Sequence, residues 1–96
     1  MARTRYLVSY DICNPKRLRR IARVMEGFGV RLQYSVFECP LDAMRLAQCK
    51  AALHEELHYQ EDQVLFVSLG PAANDASLCI EAMGLPYEVR TRVTII

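Results

Sequence analysis

Tyr6-Leu7-Val8-Ser9-Tyr10-Asp11-Ile12-Cys13-Asn14-Pro15 is the stretch from which the fold can be worked out. Tyr6 to Tyr10 is short, apolar and bounded by charge, the pattern of a central strand that ends at Asp11. Asn14 and Pro15 then place a helix N-cap directly before a proline at the first helical position, where its missing N–H costs nothing. A strand that passes into a helix within four residues sets up a layered α and β arrangement.

Downstream, Leu18, Ile21, Ala22 and Met25 recur at i, i+3, i+4 and i+7, a core-facing stripe, while Lys16, Arg17, Arg19, Arg20 and Arg23 fall mostly off it. Gly27 and Gly29 are expected to supply left-handed positions that end this helix and turn the chain into Val30. From Val30 to Cys39 the residues alternate, with Val30, Leu32, Tyr34 and Val36 on one face and Arg31, Gln33, Ser35 and Phe37 on the other, which predicts one second strand. Asp42 caps a second helix carrying Leu46, Cys49, Leu53 and Leu57 on one side, and Asp62 to Leu69 forms a third, strongly apolar strand.

Gly70 to Asp75 is the one loop-like stretch of note, followed by a short fourth strand at Leu78 to Met83 and a turn at Gly84-Leu85-Pro86. Tyr87 to Ile96 alternates over about ten residues, a tail strand on the order of 30 Å long. The predicted fold class is α+β: a single ferredoxin-like βαββαβ sandwich over residues 1–96, the Val30 and Asp62 strands sharing the middle and both helices on one face. The other face, expected to carry Ser9, Tyr10, Ser35 and Phe37, would lie bare, and the tail strand would be an open edge. A homodimer, face to face, with the tail added to the partner's sheet, resolves both problems.

Composition narrows the function classes. At 52% hydrophobic and 24% charged the chain is globular rather than disordered, and its apolar runs are too short to cross a bilayer. Met1-Ala2-Arg3-Thr4-Arg5 leads straight into the first strand with no secretory pattern, so a cytoplasmic location without membrane contact is expected. Cys13, Cys39, Cys49 and Cys79 form no C-x-x-C pair, which argues against a zinc ribbon or a thioredoxin-type motif and for mostly buried free thiols. The net charge of +1 hides an imbalance: residues 1–31 hold eight Lys/Arg against Asp11 and Glu26, and the remainder is acidic. A basic cluster of this kind suits phosphate contacts.

The first-strand segment, the Arg-rich helix after it, and Gly29-Val30-Arg31-Leu32-Gln33-Tyr34-Ser35-Val36-Phe37-Glu38-Cys39 together resemble the paired signature of the CRISPR-associated Cas-two family, which acts with the Cas-one integrase in acquiring spacers. The similarity covers the whole chain in length and element order, though from Leu78 onward in pattern only. It implies an antiviral-defence protein: a metal-dependent endonuclease acting on phosphodiester bonds of single-stranded RNA or double-stranded DNA, and a dimeric bridge for the Cas-one integrase. It also implies that the two copies of Asp11 face each other across the two-fold axis and share one Mg2+, Asp11 being both catalytic and metal-binding. A symmetric carboxylate pair suits a hard divalent cation, whose arrival relieves their repulsion. By the same resemblance Tyr10, Arg17, Arg20, Arg31 and Phe37 border the nucleic-acid cleft, where arginine can clamp phosphate and a ring can stack on a base. Ser35 joins them by its position on the strand face of Arg31 and Phe37.

Other readings remain beside this one. The dimer can be a non-catalytic DNA-binding scaffold. An RNA-binding ferredoxin-like module would need stacked aromatics on its central strands, and the third strand, Val64 to Leu69, lacks that signature. A small regulatory dimer binding a metabolite between sheets would show no salt-dependent DNA binding. His54-Glu55-Glu56-Leu57-His58 fits the H-E-x-x-H helix signature of zinc peptidases, with Glu81 or Glu88 available as a third ligand, but the chain has no room for a substrate-binding lobe. An ordinary polar helix end explains that segment as well.

Overall fold

The computed structural model describes residues 2–87. They form β1 (Thr4–Asp11), α1 (Pro15–Glu26), β2 (Val30–Gln33), β3 (Val36–Leu41), α2 (Ala43–Glu56), β4 (Gln63–Pro71) and a short 3-10 turn at Ala76–Leu78. The sheet order is β2-β3-β1-β4, and every pairing is antiparallel. This is the ferredoxin-like α+β sandwich, with β3 and β1 at its centre.

Each helix starts where its cap residue dictates. The Asn14 side chain accepts from the amides of Lys16 at 2.9 Å and Arg17 at 3.0 Å, with Pro15 following it, and Asp42 accepts from the Arg45 amide at 2.8 Å. The predicted apolar stripes are the buried ones: Ile21 and Met25 on α1, Cys49 and Leu53 on α2, flanked by Leu18, Ala22, Leu46 and Leu57. They pack against Val8, Tyr10, Phe37, Cys39 and Leu41 of the two central strands. Full burial of side chains such as Ile21 and Met25 contributes about 1.5–3 kcal/mol each, which is why two helices suffice to hold a chain this small.

Three elements differ from expectation. Val30 to Cys39 is not one strand but the β2–β3 hairpin, reversed at Tyr34 and Ser35, and this hairpin rather than Leu78 to Met83 supplies the extra strand. Two-residue hairpin loops usually need positive φ and therefore Gly or Asn. Among the described residues no non-glycine has positive φ, and a register irregularity between Arg31 and Gln33 takes up the mismatch, so no turn residue marks the reversal. Leu78 to Met83 contains the end of the 3-10 turn, fixed by the Asp75 carboxylate accepting from the Ser77 amide at 2.9 Å, and then runs on without regular structure. The Val36 half of the Val30 segment, β3, does lie in the middle, but its companion there is β1, and the Asp62 segment forms the β4 edge. The predicted tail strand lies outside the described residues except for Tyr87, which is not in a strand.

Gly29 serves a different purpose from the one expected. Its φ is not positive, nor is that of Gly27 at −78°. A Cβ on Gly29 would stand 2.3 Å from the Glu38 carbonyl oxygen and 2.5 Å from Cys39 Sγ. The glycine is there to let the α1 exit press against β3.

Candidate nucleic-acid site at the tip of β1

Alternation along β1 sends Tyr6, Val8 and Tyr10 to the helices and Arg5, Leu7, Ser9 and Asp11 to the open face. On that face Ser9 stands opposite Val36 and Leu65, and Leu7 opposite Glu38 and Val67. Leu65 and Val67 are 49% and 43% exposed, so the β1–β4 half of the face is apolar and bare. The other half is crossed by the segment after the 3-10 turn. That segment and Leu7, Leu32 and Val36 enclose a cavity of about 570 Å³. Tyr87 anchors it: its hydroxyl donates to Glu38 Oε1 at 2.5 Å, while the Arg5 guanidinium pairs with Glu38 Oε2 and donates to the carbonyls of Ala72 and Asn74. Burial, with Glu38 beside it, pushes the Tyr87 phenol up to about 12.

Asp11 ends β1 opposite Gln63, exposed, on this open face. It enters none of the ion pairs among the described residues. No cluster of three or more His, Cys, Asp or Glu suited to a metal occurs among them either. The nearby acid of the α2–β4 turn, Asp62, is committed elsewhere. At the β1 tip, Asp11 is thus a carboxylate without an ion-pair partner among the described residues.

The expected binding residues separate into three groups. Arg17 is engaged by acids of its own chain: its Nε donates to Asp62 Oδ2 at 2.8 Å, and its Nη2 to Asp62 Oδ1 at 3.1 Å and Glu61 Oε1 at 3.0 Å. Asp62 also accepts from the amides of Cys13 and His58 at 3.0 Å each. Hydrogen bonds from Arg17 first, then those two amides, hold its carboxyl well below the usual carboxylate range. The guanidinium ties the start of α1 to the entry of β4.

Tyr10 and Phe37 form the second group. They lie on the helix-covered face and not the open one, at 4% and 1% exposure, with ring centroids 6.2 Å apart in a stacked pair. Phe37 in this position is a core ring and cannot stack on a base. The Arg31 guanidinium sits 5.3 Å from the Phe37 centroid, a cation–π contact at the end of the stack. Ser35 is in the hairpin turn, and its carbonyl accepts from the Tyr10 amide at 3.1 Å. Arg20 belongs to the third group, the exposed face of α1 with Lys16, Arg19 and Arg23; its closest acid is Glu56 at 4.0 Å.

The H-E-x-x-H pattern does not form a metal site. α2 ends at Glu56, so His58 lies past the helix, its amide bonded to Asp62, and His54 Nδ1 is 2.8 Å from the Tyr59 hydroxyl. The two imidazoles do not share a helix face. Nor does the open face of the central strands offer base-stacking rings, since Leu7, Ser9, Val36 and Glu38 occupy it. No helix among the described residues is long and apolar enough to cross a membrane.

A model of the family described as CRISPR associated protein Cas2 matches residues 4–75, three quarters of the sequence and all of the sheet. The chain belongs to the Cas2 family. A CRISPR-associated endoribonuclease Cas2 of Geobacter sulfurreducens is 51% identical over 69 residues, 72% of this chain and 73% of that one. A second, from Rhodospirillum rubrum, is 38% identical over 91 residues, covering 95% and 88%. Among solved structures, Cas2 of Streptococcus pyogenes superposes with a TM-score of 0.73 at 30% identity, covering 83% of this chain and 99% of that one. A hypothetical protein of Thermus thermophilus gives 0.74 at 28% identity, covering 90% and 96%. The Cas2 resemblance read from the β1 and β2–β3 segments is thus the family relationship itself.

Proposed function

We infer that this chain works as a homodimeric, magnesium-dependent endoribonuclease of CRISPR defence, with one Asp11 from each subunit meeting across the two-fold axis. The observation that carries the reading is the position of Asp11: exposed, unpaired among the described residues, at the strand tip of a bare sheet face. Relatives that share up to about half the residues over their matched span are named endoribonucleases, which supports phosphodiester hydrolysis of single-stranded RNA as the activity. Double-stranded DNA is the alternative substrate.

The donor set suits a hard cation only when doubled. Two carboxylates brought together repel each other, and a divalent ion relieves that cost. Bound there, magnesium would supply Lewis acidity toward a phosphodiester oxygen and toward water. The chain's own part is to present Asp11 from a paired strand, to bury Leu65 and Val67 against the second copy, and to attract the backbone through Lys16, Arg19, Arg20 and Arg23. Those α1 cations also favour a second role, in which the dimer holds DNA as a bridge for the Cas-one integrase without cutting it.

Sedimentation together with a cleavage assay tests the proposal. The wild-type protein should run as a dimer and cut single-stranded RNA with magnesium but not with excess chelator, while Asp11→Asn remains dimeric and cuts at least about a hundredfold more slowly, the scale of a lost catalytic group. A monomer, or undiminished cleavage by Asp11→Asn, would overturn it. Absence of cleavage by the wild type, with DNA binding retained, would leave the bridging role in its place.

A further inference from the structure

The strand tip that carries Asp11 is paired from one side only. The pairing of β1 with β3 stops at Ser9 opposite Val36, while its pairing with β4 runs on to Asp11 opposite Gln63. No ion pair among the described residues holds the Asp11 carboxylate itself, so its aim is set by the backbone on either side of it. Two residues further on, that backbone meets the α2–β4 turn. The Cys13 amide donates to Asp62 Oδ1 at 3.0 Å, and the Cys13 thiol to the Glu61 carbonyl at 2.9 Å. Three more bonds reach the Asp62 carboxylate, one from the His58 amide in its own turn and two from Arg17 at the start of α1. The turn is closed besides by the Glu61 and Asp62 amides, which both donate to the His58 carbonyl.

The Asp62 side chain keeps no surface in water. A carboxylate so covered has given up its hydration, and pairing returns about as much as that costs, so an apolar contact in its place would serve stability as well. Four directional bonds to one group supply what an apolar contact does not, a single geometry. We propose that Asp62 is a positioning residue for Asp11: through the Cys13 amide and the Arg17 guanidinium it fixes the direction in which the strand tip presents its carboxylate. The inference rests on the reading of Asp11 as the shared cation ligand and adds the residue that aims it. A catalytic group works only when held within about 0.5 Å of its productive position. In a site made of two identical halves an error at the tip enters twice, once from each subunit. Arg17 then acts through Asp62 rather than on a phosphate.

The test uses the full-length protein at a temperature well below the unfolding of every variant. Two quantities are measured: kcat and KM for magnesium-dependent cleavage of single-stranded RNA, and binding of manganese alone, by its paramagnetic resonance signal. Asp62→Asn keeps the size of the side chain but leaves one acceptor oxygen for four donors. It should lower kcat about ten- to a hundredfold and weaken manganese binding about tenfold, the range for groups that orient a metal ligand. KM should stay within about twofold, because no contact with substrate is lost. Arg17→Gln should do the same, and the double variant no worse than either, since all three undo one connection. Gly29→Ala, destabilised at a remote point of the fold, should keep the wild-type kcat and manganese affinity. Wild-type behaviour of Asp62→Asn, or an equal loss in Gly29→Ala, would overturn the proposal and leave the reading of Asp11 in place. So would a rise in KM on Arg17→Gln alone, which puts that guanidinium on the substrate. If the wild type binds no manganese, or Asp11→Asn binds it as tightly, the Asp11 reading fails and the proposal fails with it.

Discussion

Arg17 and Asp62 are joined at two points, Nε to Oδ2 at 2.8 Å and Nη2 to Oδ1 at 3.1 Å, and the carboxylate is fully covered. This bidentate pair fastens α1 to the start of β4 across 45 residues of sequence, beside the strand tip that carries Asp11. Because the folded-state pKa of Asp62 is depressed, its contribution is complete above the unfolded value of about 3.9 and is lost as pH falls below it toward the native value. Urea midpoints at pH 7 and pH 3 should therefore fall much further for the wild type than for Asp62→Asn, which starts lower at pH 7. Parallel losses in the two proteins would refute this assignment.

Gly29 has no room for a methyl group. With backbone of Glu38 at 2.3 Å from the ideal Cβ position, Gly29→Ala should destabilise the protein by about 1–3 kcal/mol, the usual cost of overpacking. Gly84 has positive φ but open space around it, so Gly84→Ala serves as the comparison: its penalty is one of backbone strain alone. Denaturant unfolding of the two variants should rank Gly29→Ala as the more damaging, and the reverse order would show that the α1 exit can relax.

The four thiols divide two and two, against the expectation that most are buried. Burial raises Cys39 to about 12 and Cys49 to about 11, whereas Cys13 and Cys79 are exposed. A thiol-specific reagent at pH 8 should label Cys13 and Cys79 within minutes and Cys39 and Cys49 only after denaturation. The raised values also mean that their stabilisation is intact below the unfolded thiol pKa of about 8.5 and declines as pH rises beyond it. Rapid native labelling of all four would contradict the packing of α2 on β3.

Tyr87 holds the last described segment to the sheet through Glu38. Tyr87→Phe deletes one hydrogen bond to a buried carboxylate, about 1.5 kcal/mol at the lower end for a charged acceptor. Hydrogen exchange should then quicken across residues 79–87 while β1 and β3 amides keep their protection. Unchanged exchange in that segment would mean that the apolar contacts around the cavity hold it without the hydroxyl.

Much of this was legible in the residues. The Asn14-Pro15 cap, the Ile21 and Met25 stripe, and the apolar β1 and β4 runs each state a local preference that the packing then uses. The expected open face combined Ser9 with its neighbour Tyr10, which strand alternation sends to opposite sides, and added Phe37, so two core rings were expected in the open. The reversal at Tyr34 and Ser35 went unmarked because its backbone needs no glycine. Arg17 looked like a phosphate clamp because its partner is remote in sequence, and nothing in the local pattern pairs α1 with the turn before β4.

The shared site is tested most directly by mixing subunits. Wild-type protein and Asp11→Ala are unfolded together, refolded at equal concentration and assayed for magnesium-dependent RNA cleavage. If the ion is held between two copies of Asp11, only dimers with both acids cut, and activity per total protein falls to about a quarter of the wild-type value under random C2 pairing. A fall to about one half would show that each Asp11 works alone and would contradict the account.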